Sequence, residues 1–323
     1  ALNQRLRKNQ SNLLNRSIRV LAFPDIELES SLIVDEDHPF YFDHPLDHVS
    51  GLQLIDAMNQ LCLSGIFLAN PDIDASTLNM TKARISFDKF CKKTETAFVN
   101  CRQLPNLNQR QKYQCTVAQS GTRLTQAEFE FISSIPWVIP GGNALGTEEL
   151  IPCAKDIVNK VNADNVFITA AKQQDDWIYC QLLPLRETVI FSDRQNQKHL
   201  DAVHLIEASR QSLRAIEYLI RKKVGNTGQE RSNNNSTMGI LKAVELFLER
   251  PVCSEEPVLF KTQTNFVSSY KVGSNMLIVS RIVIAASGQP IGHFEIKILL
   301  MDQTVYKRMR DDGVASLLQA KSN

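Results

Sequence analysis

Apolar and polar positions along this chain follow two rhythms, and each rhythm occurs twice. Leu52, Ile55, Met58, Cys62 and Ile66 recur every three or four residues, and Leu205, Ala208, Ser212, Ile216 and Leu219 do the same further on. That spacing predicts two helices, each burying one face. The first is apolar nearly all round across residues 61–68, which predicts cover on most of its sides. Short β-like runs precede each helix, 18–23 and 31–34 before the first, 166–169 and 177–183 before the second. After each helix the period falls towards two, in 84–90, 96–101, 113–117 and 127–132, and again in 258–260, 265–267, 276–284 and 293–300. Strands, then a helix, then a run of antiparallel strands is an α+β pattern and not an alternating βαβ one. A curved antiparallel sheet wrapped around one long helix would hide both apolar faces.

The two sets are copies. Residues 48–60 align without a gap on 199–211 and share His48/His199, Leu54/Leu205, Ile55/Ile206, the acids Asp56/Glu207, Ala57/Ala208 and Gln60/Gln211. A Ser-Gly pair between strand-like runs, at 120–121 and again at 287–288, is a second echo. The polar stretch 225–237 reads as a surface loop that lengthens the second copy, and the Pro/Gly-rich stretch 134–146 as a linker. With 323 residues against the roughly 100–200 of a single domain, the expected domains are 1–145 and 146–323. A monomer that carries its own pseudo-dimer is the expected assembly.

Composition narrows the classes. Hydrophobic residues make up 43% and charged residues 22%, which places the chain among globular proteins and away from disordered or fibrous ones. A formal net charge of +1 gives no long-range attraction for nucleic acid, and no local basic patch stands out, so no nucleic-acid partner is expected. No window approaches 18 uninterrupted apolar residues and the first residues are polar and basic, so the expectation is a cytoplasmic protein without a membrane segment. The seven cysteines, Cys62, Cys91, Cys101, Cys115, Cys153, Cys180 and Cys253, form no C-x-x-C pair and are odd in number; reduced core thiols fit best. Neither a G-x-S-x-G elbow nor a phosphate loop ending in Gly-Lys-Ser/Thr is present. Although His38, Asp43, His44 and His48 lie close in sequence, they lack a familiar ligand spacing, and neither metal nor cofactor is expected.

Five of the six histidines, His38, His44, His48, His199 and His204, gather around the two helix starts. Histidine beside a carboxylate can act as general acid or base near neutral pH. Asp56 and Glu207 fall on helices that otherwise bury apolar residues, where an ionised carboxylate is costly unless paired or working. Capping and the helix dipole would explain a single histidine or acid. They do not require Gln60 and Gln211 as well, so the repeated His/acid/Gln set points to a site.

The run 38–60 resembles the helix-start signature of hot-dog acyl enzymes, including the hydroxyacyl-carrier-protein dehydratases and thioesterases. It is most similar to the A-factor biosynthesis (AfsA-type) family, whose repeats carry a D-H-V-P-G run followed by an acid, Ala and R-Q. Here residues 47–51 read Asp-His-Val-Ser-Gly, with Ser50 for the proline, Asp56 for the usual Glu and Asn59 for the Arg. Residues 156–169 are similar to the opening of the family's other half, with Asn159 where His is usual, and 201–211 match its D-x-x-x-x-x-E-x-x-R-Q element. In the family these halves normally stand in the opposite order.

The resemblance implies a tandem (double) hot dog: two antiparallel sheets, each wrapped around a long central helix. It implies an acyltransferase that moves a β-ketoacyl group from an acyl carrier protein or coenzyme A thioester to a small hydroxylated acceptor, such as dihydroxyacetone phosphate, in signal or secondary-metabolite synthesis. Carried over, His44 or His48 would face Glu207 and Arg210, and His199 or His204 would face Asp56. Glu207 is then the preferred base and Arg210 a phosphate or oxyanion partner, with Gln60, Gln211, His204 and the helix start at Gly51 or Ala202 against the substrate. Dehydration or thioester hydrolysis on the same fold, and a non-catalytic acyl-binding scaffold, stay open as alternatives.

Overall fold

The backbone finds most of its hydrogen-bond partners in one antiparallel sheet of 13 strands. The computed structural model describes residues 13–14, 18–22, 26–43, 46–74, 77–107, 110–133, 150–184, 199–223, 237–263 and 267–312. The first half supplies β1 (Arg19–Ala22), β2 (Glu27–Ser31), α1 (Gly51–Ala69), β3 (Leu78–Phe87), β4 (Ala97–Leu107), β5 (Arg110–Gln119) and β6 (Thr122–Ser133). The second supplies β7 (Lys172–Gln174), β8 (Trp177–Gln181), α2 (Ala202–Lys223), β9 (Thr237–Leu248), β10 (Val258–Gln263), β11 (Val267–Val272), β12 (Asn275–Ala286), β13 (Gln289–Asp302) and α3 (Gln303–Asp312).

Strand order runs β1-β2-β4-β5-β6-β3-β9-β13-β12-β10-β8-β7, with β11 added on β12. Read outward from the middle, β3-β6-β5-β4-β2-β1 matches β9-β13-β12-β10-β8-β7 strand for strand. The expected two sheets are therefore joined into one. At the seam β3 and β9 pair antiparallel, with Ala83 opposite Leu246 and Ile85 opposite Val244. All four side chains are buried on the core face. Between them Arg84 opposes Glu245 on the outer face, its Nε and Nη2 donating to the carboxylate at 3.3 and 3.1 Å. Pairing the two edges satisfies backbone groups that would otherwise invite another chain.

Helix α1 lies over β2, β4, β5 and β6, and α2 over β8, β12 and β13 while reaching across to β3. Ser50, in the place of the family's proline, caps α1 by accepting the Gln53 N–H at 3.1 Å. The aligned residue in the second copy, Asp201, caps α2 through bonds from the Val203 and His204 N–H groups at 2.8 and 3.3 Å. Such caps contribute about 1 kcal/mol each. By length and composition α1 could cross a membrane, but 78% of its apolar window is buried under the sheet, as a core helix should be. Met58, Leu61 and Ile66 are fully buried along it, and each contributes roughly 1.5–3 kcal/mol.

Both Ser-Gly pairs are hairpin turns. Ser120 and Gly121 have φ of 47° and 74°, and Ser287 and Gly288 have 50° and 80°. Two successive positive φ values match the twist of the flanking strands, and the glycine takes one of them without steric cost. Strand β9, like the short β7 and the last helix α3, is an element that the sequence pattern does not predict. A register shift between Leu241 and Ala243 changes which positions face the core, so its alternation is broken. The β-like run 166–169 forms only isolated bridges, Thr169 with Pro152 and Ile168 with Leu182. The expected linker 134–146, with the boundary near 145, lies outside the described residues, as does the polar stretch 225–236.

Candidate active site

The two helix acids have different surroundings. Glu207 is 2% exposed and sits among cations and amides. Arg210, one turn on, donates through Nε and Nη2 to its two oxygens at 2.8 and 2.7 Å. Gln211 Nε2 donates at 3.0 Å, and the buried Lys160 ammonium lies 3.2 Å away. Burial alone would raise the carboxyl; Arg210 and Lys160 overcome that and hold it well below the ordinary carboxylate range. A carboxylate so held is a weak proton acceptor. The expectation that Glu207 is the working base therefore does not suit its surroundings, which are those of an ion-paired brace.

Asp56, at the aligned position of α1, is 1% exposed and accepts a short hydrogen bond from the Tyr41 hydroxyl. His38 packs on Tyr41 with ring centroids 4.6 Å apart and feels the Asp56 charge. Its Nδ1 accepts the Phe40 N–H at 3.2 Å, which leaves the proton of the neutral ring on Nε2. Burial lowers the His38 pKa against the pull of Asp35 and Asp56, favouring that neutral ring.

One segment joins the two neighbourhoods. Phe40 sits 5.1 Å from the Tyr41 ring and 5.9 Å from Phe167, and the Lys160 ammonium lies 5.1 Å above its centroid. Asp43 accepts the N–H groups of Val161 and Asn162 at 3.0 and 2.8 Å, and Asn165 Nδ2 donates to the Pro39 carbonyl at 2.8 Å. Residues 38–43 of the first half are thus docked on 160–167 of the second. Asn159, in place of the family's His, takes φ 59° in the turn that leads to Lys160. Among residues other than glycine, Asn is one of the few that favours this region.

The glutamines have a different job from the one expected. Gln60 Oε1 accepts the Leu13 N–H at 3.2 Å. Gln211 Oε1 accepts the Phe167 N–H at 2.9 Å, and its Nε2 donates to the Asn165 carbonyl at 2.7 Å. The residues that follow, Leu14 and Ile168, bridge to Leu32 and Leu182 in turn. Both glutamines therefore clip the chain before the first strands to the central helix, at matching places in the two halves. They are structural clips and not substrate contacts.

The histidines are also redistributed. His48 bonds Asp47 at 2.6 Å and packs 4.8 Å from Phe90, so it is not the partner of Glu207 and Arg210. His199 forms a β-bridge with Cys253, and His204 packs edge-on against Phe167 at 4.6 Å, one turn before Glu207 on the same helix. His44 lies outside the described residues. At the start of α1, Gly51 lies against Phe87 and Leu241, where a Cβ would come within 3.3 Å of both. Sequence reasoning missed Tyr41, Phe40, Lys160 and Asn165; His38 was noted in the cluster, but its place beside Tyr41 and Asp56 was not foreseen. A groove of about 480 Å³ lies elsewhere, on the outer face of the β3–β9 seam among Arg84, Glu128, Glu245, Glu295 and Lys297.

Three comparisons bear on this geometry. A stretch of 87 residues is 33% identical to the 2-oxo-3-(phosphooxy)propyl 3-oxoalkanoate synthase of Streptomyces virginiae, covering 27% of this chain and 27% of that protein. The match thus spans about a quarter of the synthase's length. Among solved structures, an acyl-CoA thioesterase II from Mycobacterium marinum is 10% identical, with 95% of this chain and 100% of that one covered and a TM-score of 0.46. The 12:0-ACP thioesterase of Umbellularia californica is 11% identical, with coverages of 86% and 98% and a TM-score of 0.46. The profile of the A-factor biosynthesis hotdog domain matches residues 18–132, the segment that holds His38, Tyr41 and Asp56. Over residues 18–132, then, the chain is similar to the A-factor biosynthesis hotdog domain.

Proposed function

We propose that the chain is a double hot dog, with units at 1–145 and 146–323, that transfers a β-ketoacyl group from a carrier-protein or coenzyme A thioester to a small hydroxylated acceptor. The observation that carries the reading is the buried Asp56 held by Tyr41 beside a neutral His38, inside the matched domain. Asp56 takes the proton of the acceptor hydroxyl, and the freed oxygen attacks the thioester carbonyl. The C–S bond breaks, and the thiol leaves with a proton returned through the site, giving an ester and a free thiol. The first N–H groups of α1, which have no partner within the helix, can stabilise the oxyanion.

The second half contributes charge. The partly exposed Arg210 gives an anionic acceptor somewhere to bind, with Glu207 fixing its guanidinium. The synthase that matches is named for a phosphorylated three-carbon ester of a 3-oxoalkanoate, which supports dihydroxyacetone phosphate as the acceptor to try first. The test is incubation with β-ketoacyl thioesters, with and without dihydroxyacetone phosphate, followed by mass spectrometry. An acylated acceptor is expected, and Asp56→Asn should reduce its formation about 100-fold or more. Free acid in place of ester would assign a thioesterase, an enoyl thioester a dehydratase, and saturable binding without turnover a scaffold.

A further inference from the structure

Three of the cysteines converge in the first half. Cys62 comes from α1, while Cys101 on β4 and Cys115 on β5 face each other across the strand pair. Cys62 Sγ lies 3.2 Å from Cys115 Sγ and 3.5 Å from Cys101 Sγ, and all three side chains are fully buried. The three sulfurs lie within 4.8 Å of one another, and this is the group of possible metal ligands that converges among the described residues. Two residues before Cys115, on the same face of β5, the Tyr113 hydroxyl is buried without a hydrogen-bond partner. Its ring lies under Gly65, where a Cβ would come within 3.3 Å. A polar group left unsatisfied beside three thiols is not what a purely apolar core would select.

We propose that Cys62, Cys101 and Cys115 form a binding site for one soft, thiophilic metal ion of the Cu(I) class. An all-sulfur donor set selects soft ions. Structural zinc takes four ligands, and only three sulfurs converge here. Cu(I) accepts three. One bound Cu(I) would offset the charge of one thiolate, so one cysteine ligates as thiolate and the other two as thiols. The thiolate's proton goes to solvent and three sulfur–metal bonds form, with no change of oxidation state. Sequence reading did not find the site because its ligands come from one helix and two strands with no short motif.

The reduced full chain, kept under nitrogen, is titrated with Cu(I) against a competing Cu(I) chelator, both as folded protein and with the ion present during refolding from urea. One ion per chain should be retained, and X-ray absorption should show three sulfur neighbours. Cys101→Ala and Cys115→Ala should weaken retention tenfold or more, whereas Cys180→Ala, which removes a buried cysteine outside the cluster, should not. Failure to retain the ion by either route, oxygen or nitrogen ligands in the absorption spectrum, or equal losses in Cys101→Ala and Cys180→Ala would overturn the assignment. If the cluster variants do not fold, the ligand count on the unaltered chain decides the matter.

Discussion

Replacing Glu207 by Gln separates a brace from a base. The change keeps the shape of the side chain but removes the one carboxylate bonded to Arg210 at 2.7 and 2.8 Å and lying 3.2 Å from Lys160. Removing one partner of a buried pair costs about 3–5 kcal/mol, because the other charge stays behind. The Lys160 side chain is 6% exposed and cannot turn to water, whereas Arg210 at 28% partly can. The expected loss is therefore at the lower end, about 3 kcal/mol. For 323 residues the unfolding entropy is roughly 0.7 kcal/mol per degree, so the melting temperature should fall by about 4–5 °C, followed by circular dichroism. Lys160→Met should cost less, about 1–2 kcal/mol, since Glu207 keeps both bonds from Arg210, and the double variant should lose less than the sum of the two.

The pH dependence has a defined sign. The folded carboxyl is held below its ordinary value by Arg210 and Lys160 despite burial, so its contribution is present in full above about pH 4.5 and is lost as pH falls through the depressed folded value. The gap between unaltered and Glu207→Gln chains should be constant at neutral pH and close in acid. Acyl transfer by Glu207→Gln, measured below its melting range, should stay within about tenfold of the unaltered chain. A variant that is fully stable but inactive would refute this reasoning and return the base to Glu207.

Other expectations can be checked with the same assays. Tyr41→Phe removes a hydrogen bond to a buried carboxylate and should cost about 1.5–3 kcal/mol in urea unfolding, with a fall in turnover that exceeds any fall in substrate binding. Gly292→Ala would put a Cβ 2.0 Å from the Phe247 carbonyl oxygen, so β13 must move away from β9; a loss of about 3 kcal/mol or more, or failure to fold, is expected. Gln211→Leu breaks bonds to Phe167, Asn165 and Glu207 and should cost about 2–4 kcal/mol in the same urea unfolding, and a loss under about 1 kcal/mol would contradict its role in holding the chain.

The parts of this fold that were legible in the sequence are those whose signal is local. The two central helices were readable from apolar residues three and four apart, and hairpin turns because Ser-Gly tolerates two positive φ values. Strand β9 was not, since a register shift between Leu241 and Ala243 breaks its alternation. The His/acid/Gln repeat was visible, but its meaning was set by tertiary contacts. Gln60 and Gln211 bond to backbone 47 and 44 residues away, and Lys160 reaches Glu207 from a separate loop. No spacing rule encodes such approaches. Of the clustered histidines it is His38, not His48, that lies beside Tyr41 and Asp56.

The inequality of the two halves follows from one aligned position. Three residues after the acid, the second helix carries Arg210 and the first carries Asn59. On a helix, residues three apart share a face, so an arginine there is placed to fork onto the carboxylate and hold it ionised. That happens at Glu207, which Lys160 from the preceding loop also faces. At Asp56 the position is a buried asparagine, which brings no charge, and the acid meets a tyrosine hydroxyl instead. Asn59 is a departure from the family pattern, and with it the position three residues after the acid brings no arginine in the first half. On the proposed reading, a duplicated fold with two aligned acids gives one of them to stability and the other to chemistry. The docking of residues 38–43 on 160–167 keeps the two together, since Phe40 touches both Tyr41 and Lys160.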